Sequence, residues 1–228
     1  MRRLIIGYAL LCAIGFGQQW ARDRLEKSSR HQEWIYLKQG DRTVDTFVVY
    51  PEVSHKTPVI LIIHGDEGLT DWVQCLADEL AEAGYIAIAP DLLSGMGPKG
   101  GGTSEFAPGA APQAIAKLAR EQIVADLDTV AGYARKIPAA NGNVAIAGFG
   151  WGSGEALVDA RGPLGAIYLF PESSSVKAGG IFSMVVPIFK FAGPESFMRD
   201  GDAPGSTDPA KKAHDDAWER WKKLLATL

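Results

Sequence analysis

The chain has 228 residues, of which 46% are hydrophobic and 22% charged, and a formal net charge of −4. That length fits one domain, or one with a small second unit, and can bury a sizeable core. The acidic balance argues against nucleic acid, whose binding faces carry a basic excess, and no apolar run reaches the roughly 18 residues of a membrane span.

Residues 1–17 have the pattern of an export signal. Arg2 and Arg3 precede an apolar stretch over 4–16, and Gly15-Phe16-Gly17 offers small residues two apart. A buried first helix is the other reading of this stretch. Leu10 and Leu11 stand before Cys12 where lipid attachment calls for small residues. Export implies a periplasmic or secreted product. With the signal removed only Cys75 remains, which excludes an internal disulfide. Within an amphipathic helix Cys75 reads as a buried, inert thiol.

Residues 18–31 are polar and charged and read as a tether to the domain over 32–228. Residues 33–38 and 43–50 carry β-branched and aromatic side chains on either side of Gly40-Asp41, which predicts an antiparallel pair at a sheet edge. The continuous apolar run over 59–63 suits a central strand covered on both faces. Trp72, Leu76, Leu80 and Ala83 recur at helical spacing over 71–83, and Gly84 ends that helix. A strand over 85–89 leads into a Gly- and Pro-rich loop over 91–109. A long helix is expected over 115–135, then strands over 143–149, 166–170 and within 181–191. Asp208 caps the last helix with Pro209 in its first turn, and Ala217, Trp218, Trp221, Leu224 and Leu225 form its apolar side. Strands alternating with helices predict a three-layer α/β sandwich around a mainly parallel sheet.

The informative segment runs Val144-Ala-Ile-Ala-Gly148-Phe149-Gly150-Trp151-Gly152-Ser153-Gly154. A strand, a sharp turn with glycine two before and two after its centre, and a helix make a nucleophile elbow. The flanking glycines let strand and helix backbones approach, and the central residue is pushed out at the top of the sheet. Here that residue is Gly150, which has no side chain with which to attack. Ser153 lies about one helical turn further on, away from the tip, and reads as a small residue packed against the sheet.

This segment resembles the elbow of the dienelactone hydrolase family, where Gly-Phe-Cys-Trp-Gly-Gly is a common form and the cysteine attacks. The resemblance runs from about Gln32 to the C-terminus. It includes the stretches 64–72 and 84–93, and Phe197-Met198-Arg199 with the final helix. It implies an α/β-hydrolase-like fold and cofactor-free hydrolysis of carboxylic esters or lactones. It also implies site positions that this chain fills unusually. Gly65 stands at the position of a glutamate that interacts with the resting cysteine, with Glu67 two residues on. Glu195 stands at the position of the catalytic histidine, within Pro194-Glu195-Ser196-Phe197-Met198. The backbone N–H groups of Trp151 and Asp66 stand where an oxyanion is held. The stretch between Phe170 and Phe197 is too short for the further β–α units that would carry the acid, so the sandwich is expected to be shortened after the elbow half.

The remaining histidines offer no substitute on this reading. His31 and His55 fall outside a site loop, His64 matches a position that is not the general base, and His214 sits on a polar stretch of the last helix. No His-x-x-x-His or cysteine pair marks a metal site, Asp215-Asp216 reads as a solvated face, and Gly100 to Gly102 follow Pro98-Lys99 with no Ser or Thr directly after a lysine, so a phosphate loop is not indicated. Three readings follow. The chain is a degenerate family member that binds a small acyl or lactone-like ligand or has no retained activity. Alternatively, it is an active ester or lactone hydrolase with a relocated catalytic set, such as Ser153 with a carboxylate. Or it is a structural protein whose shortened region exposes sheet surface to a partner or, by self-association, to a second copy.

Overall fold

A computed structural model describes residues 18–158, 165–170, 188–191 and 197–228. The expected export signal, Cys12, Glu195 and most of the stretch between Phe170 and Phe197, where shortening is expected, lie outside the described residues. Among the described residues no helix is long and apolar enough to cross a membrane.

Among the described residues the sheet has seven strands: β1 (Gln32–Gln39), β2 (Arg42–Val49), β3 (Thr57–Ile63), β4 (Ile86–Pro90), β5 (Ala140–Phe149), β6 (Ile167–Phe170) and β7 (Ile188–Lys190). Their order is β1-β2-β4-β3-β5-β6-β7. β1 and β2 run antiparallel to their neighbours, and every other pairing is parallel. The helices are α1 (Gln19–Lys27), α2 (Asp71–Glu82), α3 (Ala111–Ile115), α4 (Arg120–Ala134), α5 (Gly152–Val158), α6 (Phe197–Asp202) and α7 (Asp208–Leu225).

Because strand side chains alternate between faces, the central strands feed two cores. Ile60 and Ile62 of β3, with Ala145 and Ala147 of β5, pack against α1, α2 and α7. Val59, Leu61 and Ile63, with Val144 and Ile146, pack against α4 and α5. This is the expected three-layer sandwich.

Two local expectations are corrected. The segment read as a polar tether forms α1, with Ala21 fully buried in the core. Its polarity has a structural use: Arg22 pairs with Asp71 at 2.8 Å, and Arg24 bridges Glu79 and Asp202. Just beyond α1, the Arg30 guanidinium donates to both oxygens of Asp78, whose side chain is fully buried. The helix docks through charge, which a search for apolar periodicity cannot see. Second, the long helix expected over 115–135 begins only at Arg120, as α4; the short α3 precedes it, with 116–119 between them. Leu118 turns inward there and packs between two clusters, a tertiary contact with no glycine or proline to announce it. His214, on the polar stretch of α7, is buried beside Gly201, a structural position.

Glu79, Asp202 and Arg24 set two buried carboxyls against one guanidinium. Burial and the neighbouring Asp202 push the Glu79 carboxyl up to about 8, so a proton supplies the second positive charge. A folded-state carboxyl held above its ordinary value of 4.5 takes up a proton on folding. Its contribution is full below that value and is lost as pH rises through about 8. Glu79→Gln should therefore gain thermal stability relative to the parent between pH 5 and 9, read by melting curves across pH; a gap that stays constant would refute the shared proton. For the Arg30 pair, Asp78→Asn strands a half-buried guanidinium and should cost about 2–4 kcal/mol. Asp71→Asn, facing the exposed Arg22, should cost under about 1 kcal/mol, both losses being read by denaturant titration.

Candidate functional site

Among the described residues, a cleft of about 260 Å³ opens at the C-terminal ends of β3, β5 and β6. Its walls come from the β3–α2 loop (Gly65 to Gly68, and Thr70), from Phe149 and Gly150 at the end of β5, from Phe170 of β6, and from Phe197 to Arg199 of α6. Its floor is aromatic. Phe149 stacks on Phe170 at 4.6 Å between centroids, and Phe170 on Phe191 at 4.4 Å, with Trp221 against Phe170 at 4.7 Å.

The turn between β5 and α5 explains its glycines by contact. A Cβ on Gly148 would strike the Gly152 carbonyl and lie 2.8 Å from the Ser153 Cα. One on Gly152 would strike the His64 carbonyl and lie 2.5 Å from that of Ile63. Strand, helix and the neighbouring β3 thus close on one point with no room for side chains. Between the two glycines stands Gly150, with φ +51, at the lip of the cleft. Its N–H donates to the Phe170 carbonyl at 2.9 Å, which ties the turn to β6.

The facing loop is held from behind. His64 is fully buried; its Nδ1–H donates to the Gly65 carbonyl at 2.7 Å, and its Nε2 accepts from the Leu92 N–H at 3.2 Å. Burial lowers its pKa, so the ring stays neutral in the tautomer those bonds require. Asp91 accepts from the N–H and the hydroxyl of Thr103, and Thr103 Oγ1 accepts from the Leu69 N–H at 3.0 Å. This chain of bonds fixes where Gly65 and Asp66 stand.

The structure brings together Gly150, Gly65 and Asp66 at the cleft, with Trp151 next in the chain. A Cβ on Gly65 would meet the Phe149 carbonyl at 3.6 Å, an ordinary contact, so a side chain there is sterically allowed. Among the described residues, neither the Asp66 nor the Trp151 N–H is engaged by a backbone carbonyl. Ser153 is fully buried, and its hydroxyl donates to the Gly148 carbonyl at 2.7 Å, away from the cleft. Cys75 is also buried, and burial pushes its thiol up. Glu67 is drawn to Arg199 at 2.7 Å across the cleft mouth.

Sequence reading assigned no role to Arg199 or Thr70, which both line the cleft. The signal for Arg199 was present, since it closes the Phe197-Met198-Arg199 stretch. Among the described residues, the polar side chains of the cleft are those of Asp66, Glu67, Thr70 and Arg199, with no histidine, serine or cysteine.

An elbow of this construction above the C-terminal edge of a parallel sheet defines the α/β-hydrolase class. The model of the Dienelactone hydrolase family matches residues 44–203, and the chain belongs to that family. It is 41% identical over 59 residues to "Putative hydrolase fragment YghX" of Escherichia coli K12, covering 25% of this chain and 50% of that protein. It is 31% identical over 117 residues to a "Putative carboxymethylenebutenolidase" of Salmonella typhi, covering 50% of this chain and 42% of that protein. The chain thus spans half or less of the length of these curated relatives. Among solved structures, a dienelactone hydrolase-like promiscuous phosphotriesterase from metagenomic libraries superposes with TM-score 0.65 at 19% identity, over 88% of this chain and 99% of that one. At that identity the likeness is one of fold.

Gly148→Ala and Gly152→Ala should each cost about 1–3 kcal/mol, because backbone must move to admit the methyl group. Gly154→Ala meets nothing within 4 Å and should leave stability unchanged or raise it. Denaturant midpoints of the three variants test the packing directly; equal midpoints would show that β3, β5 and α5 do not close as described.

Proposed function

We propose that this family member holds a small acyl or lactone-like ligand in its cleft without hydrolysing it. The observation that carries the reading is Gly150 at the tip of the elbow: the position that aims a nucleophile into the cleft has no side chain. Loss of a nucleophile from a working triad removes on the order of a million-fold in turnover and leaves binding and oxyanion effects. The histidine position carries Glu195, a group that does not act as a base near neutral pH in the way imidazole does. The burial of Ser153 and its bond to Gly148 speak against a relocated nucleophile.

What remains suits binding. The N–H groups of Trp151 and Asp66 are donors for a ligand carbonyl, and Arg199 offers a guanidinium to a carboxylate once Glu67 yields it. The aromatic floor takes an apolar body. On the pattern of residues 1–17, this would take place outside the cytoplasm.

Hydrolysis of aryl esters and dienelactones should not exceed that of a boiled control. Gly150→Cys should gain a thiol that reacts readily with an alkylating agent, with little turnover; Gly150→Cys with Glu195→His should turn over ester faster than either single variant. Ester hydrolysis by the parent that disappears in Ser153→Ala would defeat the proposal. Alkylation of Gly150→Cys no faster than the parent would show that the tip does not face the cleft.

A further inference from the structure

Beyond the cleft, the opposite edge of the sheet has an unusual exposed row. Trp34 is 42% and Tyr36 66% exposed, and both lie on β1. Among the described residues β1 has one strand neighbour, β2, and pairs with it without interruption from Gln32↔Val49 to Gln39↔Arg42. No proline or bulge interrupts it, two of the devices that keep a sheet edge from pairing, and its charges are confined to Glu33 and Lys38.

The register tells which backbone groups are free. The Tyr50 N–H donates to the His31 carbonyl at 3.0 Å, so the hydrogen-bonded pairs with β2 belong to the odd-numbered residues of β1. The N–H and C=O groups of Gln32, Trp34, Tyr36 and Lys38 therefore point outward along the edge. Their side chains share the face of β1 that carries Trp34 and Tyr36, while Ile35 and Leu37 pack on the other face against the core that includes α4.

We propose that this edge pairs with the β1 edge of a second copy of the chain, antiparallel, about a two-fold axis at Tyr36. The strand is complementary to itself in that register. Tyr36 meets the second copy's Tyr36 in a pair that exchanges both main-chain bonds. Trp34 falls opposite the second copy's Lys38, an aromatic face against an ammonium rather than charge against charge. On the other face Ile35 meets Leu37, and Glu33 meets Gln39. With the axis at Ile35 instead, Glu33 would lie against Leu37, a carboxylate on an apolar side chain. Side chains directly opposite across such a pair stand about 5 Å apart, close enough for these matches to count. A two-fold contact of this kind uses the same patch on both copies and closes, leaving no edge to extend further.

The test is the solution mass of the full chain by sedimentation over a range of concentrations. The parent should reach twice the single-chain mass, and Tyr36→Lys, which opposes two lysines on the axis, should remain at the single-chain mass with unchanged circular dichroism. Under mild oxidation Tyr36→Cys should form a disulfide-linked dimer, while Trp34→Cys, whose two copies would be four residues out of register, should behave like the parent. A parent at single-chain mass at every concentration overturns the second copy as occupant and leaves the edge to a strand from another protein. A Tyr36→Lys chain that still dimerises, or a cross-link through Trp34→Cys rather than Tyr36→Cys, also overturns the proposal.

Discussion

Everything at the cleft depends on how closely β3, β5 and α5 approach one another. At Gly148 and Gly152 backbone meets backbone with no space for a Cβ, and that closeness brings the tip of the turn and the Gly65–Asp66 backbone to the same cleft. The rest of the site is arranged to keep the approach rigid. His64 bridges its own loop to the start of the next one, Asp91 and Thr103 brace Leu69, and the aromatic stack from Phe149 to Phe191 supports the turn from below. The bond from Leu92 to His64 is buried and the others are partly so, where leaving a polar group unmade is costly.

The parallel centre of the sheet, the hairpin at its edge and the elbow were legible because each rests on a local rule. Alternating or continuous apolar runs mark strands, Gly40-Asp41 marks a two-residue turn, and glycines two apart on each side of Gly150 mark a backbone collision. Features that depend on distant partners were not legible. α1 is held by Arg22, Arg24 and Arg30 reaching acids tens of residues away, so its own sequence reads as solvated. The break between α3 and α4 follows from where Leu118 packs. His214 sits in a sequence rich in charge, yet Gly201 lets α6 press against it. For the site, the backbone positions could be read from the elbow motif and the family resemblance, but Arg199 and Thr70 join the cleft only through the folding together of α6 and the loop before α2.

The charged layer beneath α1 and the apolar ladder beneath the cleft do different kinds of work on the same face of the sheet. Phe149, Phe170 and Trp221 bury area without regard to pH. The Arg24, Glu79 and Asp202 cluster adds little area but chooses how α1 sits, since each charge has few partners that can satisfy it. Fold and orientation are thus specified separately, by packing in the centre and by charge at the periphery.

The backbone at Gly150 lies in the left-handed region, where an L side chain costs roughly 1–2 kcal/mol. A nucleophile at the tip of an elbow is held there against that strain, and selection for turnover must keep it in place. Once glycine occupies the tip, the strain is released while Gly148 and Gly152 continue to be required by packing alone. A side chain placed at this tip would therefore have to overcome that strain, whereas the glycines on either side are demanded by packing whatever stands between them, so folding stability alone maintains the shape of the turn.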